Sequence, residues 1–370
     1  MDLELFLSQF KTLVECESPT SDPAALSRSA HLVARVGASL LGAAPRVLTP
    51  GDAPHLLWRF GSGPRSVVLI GHHDTVWPLG TLARIPFSIR AGVVRGPGTD
   101  DMKGGDLIAL HALAAVRANR GNLDGVSLLI TGDEEIGSVS SRGIIEAEAA
   151  GAEAALVFES GEGHREGAVK TGRKGVALYR LEITGRASHA GVEPEKGINA
   201  TTEVAAQVLR IAALDRQTAD GTSVTPTVMT SGTTTNTIPA QASVAIDSRA
   251  QTAHEQVLVD RLLHGLRPEI PGAGLELYGG INRPPLERAL ALPLFKRAAR
   301  IAGELGHPAL AEVEVGGGSD GNFTAGLGVP TLDGLGTVGG GSHADTEHAL
   351  IEWIPRRVEL VAHLVDQLLG

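Results

Sequence analysis

Hydrophobic positions in the first half of the chain follow two periods in alternation. Leu3, Phe6, Phe10 and Leu13 recur at helical spacing, and a second helical pattern runs from about Ala24 to Leu41. Short apolar runs then predict strands near His55 to Phe60 and Ser66 to Gly71, followed by a helix from Gly105 to Ala118 and a strand at Val126 to Thr131. A helix near Val139 to Ala149 and a strand at Ala154 to Phe158 continue the series. Strands alternating with helices predict an α/β fold with a mainly parallel, helix-covered sheet. In such sheets ligands gather outside the carboxyl ends of the strands.

The pattern changes between about Lys174 and Ile281. It reads strand (Gly175 to Ile183), helix (Gly197 to Leu214), strand (Thr222 to Thr230), strand (Ala242 to Asp247), helix (Ala253 to Leu266) and strand (Gly274 to Tyr278). That βαββαβ order is the ferredoxin-like α+β unit. The pattern therefore predicts one domain made of residues 1–173 and 283–370, with a second, 174–282, inserted into it. After Asn282 the earlier alternation resumes, with helices from Arg288 to Glu304 and from Pro355 to Leu369.

Composition narrows the classes of function. A chain of 370 residues exceeds the roughly 250–300 at which single cores stop growing, which favours two domains. Hydrophobic residues make up 42% and aromatic residues 3%, so the core is aliphatic. A formal net charge of -10, with no stretch of concentrated Lys and Arg, argues against nucleic acid and against membrane surfaces as partners. No segment reaches the roughly 18 uninterrupted apolar residues of a spanning helix, and MDLELFLSQF does not read as a signal peptide. Cys16 is the only cysteine, which rules out an internal disulfide and a cysteine-based zinc site. A reduced, cytoplasmic setting is the expectation.

Against this background the ends of the predicted strands stand out. VVLIGHHDTV closes an apolar strand with His72, His73 and Asp74; His72 and Asp74 are two apart, so the carboxylate can hold the imidazole's second nitrogen. His73 faces the other way and reads as a packing or hydrogen-bonding residue. GPGTDDMKGGD sets Asp100 and Asp101 ahead of a helix start, where one of the two would serve as a cap and the pair could hold a cation. TGDEEIGS places Asp133, Glu134 and Glu135 directly after a buried strand, three acids that repel one another unless cations or protons intervene. Glu159 closes the strand ALVFES, and His343 lies in the glycine loop VGGGSHADTEH. Each residue alone would pass as a satisfied histidine or a surface acid. Together they bring oxygen and nitrogen donors without thiolate to one sheet edge, a set suited to zinc, with manganese or cobalt as substitutes.

GHHDTV, GPGTDDMKGGD, TGDEEIGS, LVFES, GRASHAG, NTIPAQASVAIDSR and GGGSHADTEH resemble, in order and spacing, the signatures of the di-zinc metallopeptidase family. That family holds glutamate carboxypeptidase, succinyl-diaminopimelate desuccinylase, acetylornithine deacetylase, aminoacylase and several dipeptidases. The similarity covers nearly the whole chain and looks closest to the glutamate carboxypeptidase branch. By that resemblance His72, Asp101 and Glu159 would bind one zinc and Asp101, Glu135 and His343 the other, with Asp101 bridging. Glu134 would be the general base and Asp74 would orient His72. Met102 follows the bridging position, where some relatives carry a second Asp.

The inserted domain resembles the family's lid and dimerisation domain, which implies a homodimer. His189, in ASHAG, would reach the partner subunit's active site and stabilise the oxyanion, and Asn236 would help hold the substrate. Arg249, in AIDSR, would grip the substrate's free carboxylate, for which a guanidinium fork is suited. Arg283, in INRPP, is a second candidate for that task, its alternative being a surface arginine at a domain junction. The loop GGGSDGN, from Gly316 to Asn322, either offers backbone N–H groups to a carboxylate or is a capped turn. The implied activity is hydrolysis of the amide bond to a C-terminal amino acid, from a small peptide or an N-acyl amino acid. An aminoacylase or dipeptidase is the alternative within the family, and a non-catalytic metal-binding protein the alternative outside it.

Overall fold

In the computed structural model, which describes residues 1–163 and 167–370, strand Val67–His72 is buried at every position. A strand without apolar–polar alternation needs cover on both faces. It has that cover: Val67 and Leu69 join the core beneath helices Leu3–Val14, Pro23–Leu41, Lys103–Arg120, Arg288–Glu304 and Trp353–Leu368, whereas Val68 and Ile70 pack with Ile145 and Ala149 of helix Arg142–Ala149. Truncating such a buried Leu or Ile to Ala costs about 2–5 kcal/mol, so the sheet's centre is strongly held.

Six strands make this sheet, in the order Arg46–Leu48, His55–Arg59, Val126–Thr131, Val67–His72, Ala154–Val157, Thr331–Leu332. The last four are mutually parallel, and the first two add an antiparallel edge. The fold class is therefore α/β with a mainly parallel sheet.

Helix Lys103–Arg120 starts two residues before its sequence-predicted limit, despite the pair Gly104 and Gly105. A Cβ at Gly105 would lie 2.0 Å from the carbonyl oxygen of Phe158, so glycine is what admits the helix this close to the strand end. Lys103 is buried there because its Nζ donates to the carbonyls of Leu13 (3.1 Å) and Cys16 (2.7 Å). Met102, not an aspartate, occupies the N-cap position, and its side chain is buried in the core.

Residues divide by contacts into two units. The larger comprises Met1–Gly172, Leu286–Val315 and Ser319–Gly370, and the smaller Arg173–Pro285 with Gly316–Gly318. The smaller unit differs by a few residues from the sequence limits of 174–282. Arg173 belongs with it because its Nη1 donates to the carbonyl of Gly317 at 3.0 Å. Within it an antiparallel sheet is ordered Ser223–Ser231, Gln241–Ala250, Gly175–Thr184, Gly274–Arg283. Helices Ala200–Ala212 and Ala253–His264 close a separate core around Tyr179, Leu181, Val244 and Ile246. This strand order is the ferredoxin-like one. Among the described residues no helix is long and apolar enough to cross a membrane.

Candidate metal centre

Three parallel strands end side by side and deliver the first donors. His72 is the last residue of Val67–His72, Glu134 and Glu135 open a 3-10 turn after Val126–Thr131, and Glu159 follows the end of Ala154–Val157 by two residues. Asp101 arrives from the loop before helix Lys103–Arg120, joined to Met102 by a cis peptide bond. His343 comes from a loop in which its own backbone takes a positive φ of 64°.

Asp101 is the meeting point. Its Oδ1 lies 3.1 Å from Nε2 of His72, and its Oδ2 lies 3.2 Å from Nε2 of His343. Glu159 Oε1 stands 3.8 Å from the same His72 nitrogen, and Glu135 Oε2 stands 3.3 Å from the same His343 nitrogen. Two clusters result, His72–Asp101–Glu159 and Asp101–Glu135–His343, whose candidate donor atoms lie within 4.8 Å of one another in each.

The electrostatics are those of a cation site. Burial opposes a charge on His72, but the hydrogen bonds to Asp101 and Asp74 outweigh it and hold the imidazole well above its ordinary range. The carboxylates of Asp101 and Glu135 push the His343 imidazole up to about 10. Burial also works against a charged Asp101, yet His343 and His72 keep that carboxyl below the usual range. Burial and repulsion from Asp101 raise Glu135, and its Oε1 is buried with no hydrogen-bond partner among the described residues. Protons on two imidazoles thus balance acids that a divalent cation would balance better. The oxygen and imidazole donors, the shared carboxylate and the orphaned oxygen all fit such an ion.

Asp74 supports the cluster from behind. It is fully buried, lies 3.3 Å from Nδ1 of His72, and accepts from the Thr20 hydroxyl (2.7 Å) and from the N–H groups of Glu134 (3.3 Å) and Glu135 (3.2 Å). Glu134, only 9% exposed, is thereby fixed through its backbone beside the donors. His73 points away to the carbonyl of Pro54 at 2.9 Å, and burial lowers its pKa to about 4.

Four of the remaining candidates, His189, Asn236, Arg249 and Arg283, lie in the smaller unit. His189 and Asn236 are brought together there: strand Ser188–His189 pairs with Thr237–Ile238, and Ala190 donates to the carbonyl of Asn236 at 2.9 Å. Nδ1 of His189 accepts from the N–H of Gly191 at 3.1 Å, which assigns the ring proton to Nε2 in the neutral form. Arg249 and Arg283 both pair with Val176, from opposite sides of its strand. The Arg249 fork is engaged: Nε and Nη2 each donate to Asp247 at 2.8 Å. Arg283 is buried, which corrects the reading of it as a surface arginine. In the GGGSDGN loop, Ser319 N–H donates to Asn322 Oδ1 (2.8 Å) and Gly321 N–H to the Ser319 hydroxyl (3.1 Å), so these groups are consumed within a capped turn.

Three participants escape sequence reasoning. Asp100 caps nothing; it accepts from the hydroxyls of Thr337 (3.0 Å) and Ser342 (2.9 Å), and burial raises its pKa to about 7. Asp247 holds Arg249 through the alternation of one strand, a signal present in IDSR as acid and base two apart. Glu347, four residues after His343 in the same motif, is buried among backbone donors.

Comparison with known proteins gives the family. The sequence pattern of peptidase family M20/M25/M40 matches residues 68–367. The chain is 33% identical over 313 residues to carboxypeptidase G2 of Pseudomonas sp. (strain RS-16), covering 83% of this chain and 75% of that one. It is 28% identical over 337 residues to a succinyl-diaminopimelate desuccinylase of Gluconacetobacter diazotrophicus, covering 87% and 86%. In fold it is similar to the crystal structure of aminopeptidase PepT from Bacillus cereus, with a TM-score of 0.77, 22% identity and full coverage of both chains. The chain belongs to peptidase family M20/M25/M40 and is a metal-dependent hydrolase of that family.

Proposed function

We propose that this hydrolase cleaves the amide bond to a C-terminal amino acid carrying a free carboxylate, in the manner of a glutamate carboxypeptidase, with two zinc ions per subunit. His72, Asp101 and Glu159 would hold one ion, and Asp101, Glu135 and His343 the other; cobalt or manganese could substitute. The observation that carries this reading is the division of the Asp101 carboxylate between two imidazoles, at 3.1 and 3.2 Å. Likeness to a carboxypeptidase G2 supports the choice of bond.

Bound zinc lowers the pKa of water and polarises a carbonyl. The chain's residues do the rest. Glu134 takes the proton of the attacking water and passes it to the departing amine. Asp74 fixes His72 and the turn carrying Glu134. His189, with its Nε2 proton, donates to the developing oxyanion, from the partner subunit of a homodimer built through the inserted domain. Asn236 and Arg249 hold the substrate, the latter by its carboxylate, with Arg283 as a second cation for that task. The insert, 174–282, acts as lid and dimerisation domain, and the protein works in the cytoplasm.

An N-acyl amino acid deacylase or dipeptidase is the second reading, favoured by the likeness to a desuccinylase over 87% of the chain. Hydrolysis of N-acetyl, N-benzoyl and aminoacyl derivatives of Glu, Asp, Ala and Leu, by zinc-loaded and chelated protein, separates the two. Metal-dependent release concentrated on Glu and Asp supports the first reading, and release spread over neutral residues supports the second. Activity on none, or turnover unchanged in Glu134→Gln with its metals retained, would sink both.

A further inference from the structure

Glu347 is completely buried, and its two oxygens accept four N–H groups, one from Trp77 and three from the Gly98–Asp101 loop. Oε2 accepts from Nε1 of Trp77 (2.7 Å) and the backbone of Gly98 (3.0 Å). Oε1 accepts from the backbone of Asp100 (2.9 Å) and of Asp101 itself (3.1 Å). A link runs in reverse as well: Asp100 accepts from Thr337 and from Ser342, the residue before His343. Two carboxylates therefore staple the Gly98–Asp101 loop to the Ser342–Glu347 loop, one from each side.

The staple acts on a loop whose two ends are paired as strands Gly339–Gly340 and His348–Leu350, and it ties the middle of that loop to Asp101. His72 and Glu159 sit on or beside parallel strands paired along their length, so two donors of the first cluster are fixed by the sheet, and only Asp101 rides on the stapled loop. His343 sits on a loop, with its side chain 52% exposed, and must still come within 3.2 Å of Asp101 and 3.3 Å of Glu135. Hydrogen bonds to a charged acceptor are roughly twice as strong as neutral ones, and four converge four residues from that imidazole.

We propose that Glu347 is a positioning residue that sets the Asp101–Glu135–His343 cluster, two of whose three ligands lie on the segments it joins, and so governs the second metal ion more than the first, which has only Asp101 there. The inference rests on the two-metal reading above. Removing an outer partner of a ligand costs about 10–100-fold in metal affinity, and here that loss falls on one of two ions.

The test is titration of the chelator-stripped full chain with Co²⁺, followed by calorimetry and by the cobalt d–d bands, for the native protein, Glu347→Ala and Glu347→Gln. The glutamine variant keeps the side-chain volume but turns an N–H₂ group toward two N–H donors, so it tests the acceptor and not the packing. The expected result is a second ion bound about 10–100-fold more weakly, an altered band pattern at that ion, and a first ion bound within about threefold of normal. Equal affinities for both ions in the variants, or a parallel loss of both in step with melting temperature, overturns the proposal. Should neither variant fold, Ser342→Ala cuts the reverse link and is judged by the same two outcomes. A native chain that takes fewer than two ions instead defeats the two-metal reading, which keeps the two failures apart.

Discussion

Oδ1 of Asp74 lies 3.3 Å from Nδ1 of His72, and the same carboxylate accepts the backbone N–H groups of Glu134 and Glu135. One buried residue thus orients a candidate ligand, through its carbonyl oxygen 3.0 Å from the same Nδ1 as well as its carboxylate, and its side chain anchors the turn that carries the candidate base. Burial works against its charge, but the His72 hydrogen bond outweighs this and keeps the carboxyl low. In Asp74→Asn an N–H₂ group would face a ring or N–H groups that need an acceptor. Metal affinity should fall about 10–100-fold, in line with other outer partners of ligands. Turnover should stay depressed at saturating metal, because the Glu134 turn has lost its anchor as well. Metal titration and steady-state kinetics on one preparation check both, and full recovery by added metal would confine Asp74 to His72.

What could be read beforehand follows the range of the forces involved. Strand Val67–His72 was legible because an unbroken apolar run has few other fates, and the donors at strand ends because polar groups there need a reason. Helix Arg142–Ala149 begins later than its pattern, since Val139 is exposed and Ser140 and Ser141 are drawn to the Asp133 carboxylate instead. Strands of two or three residues, such as Val93–Arg95 and His348–Leu350, carry no period to detect; they exist because they pair with each other. A cap at one of Asp100 and Asp101 is the local reading, and local sequence cannot reveal that Asp100 accepts from hydroxyls 237 and 242 residues away. Glu347 was hidden for the same reason, its partners lying 246 to 270 residues distant.

The approach of helix Lys103–Arg120 to Phe158 yields a stability prediction. In Gly105→Ala the new methyl would start 2.0 Å from a carbonyl oxygen, a backbone atom that cannot swing aside. Overpacking of this kind costs about 1–3 kcal/mol. Urea unfolding should show that loss, and metal retention under dialysis should weaken too, because the displaced strand end leads into Glu159. An unchanged denaturation midpoint would mean that the helix start yields without strain.

Acid should destabilise the chain through His111. Its ring is 5.0 Å from that of Phe6, its Nε2 lies 2.7 Å from Gln9 Oε1, and burial lowers its pKa from 6.5 to about 4. Between these values the unfolded chain binds a proton that the folded one refuses, so stability is full above about pH 6.5 and declines as pH falls toward 4. His111→Gln should flatten that decline, whatever it does to stability at neutral pH. Thermal melts of metal-free protein at pH 7 and pH 5 measure it; an equal drop in native and variant protein would assign the acid sensitivity elsewhere.

Arg249 tests the substrate reading most directly. Its Nε and Nη2 are held by both oxygens of Asp247 at 2.8 Å, which fixes the plane of the guanidinium on the strand. If that oriented cation receives the substrate's carboxylate, Arg249→Lys keeps the charge but loses the fork that a carboxylate matches. Forfeiting one charged hydrogen bond costs about 1.5–3 kcal/mol. That corresponds to about a 10- to 100-fold rise in KM. The same substrate as its C-terminal carboxamide should bind poorly to the native enzyme and scarcely distinguish it from the variant. A KM for the free acid that is unmoved in Arg249→Lys would transfer the task to another cation, with Arg283→Lys the next to measure.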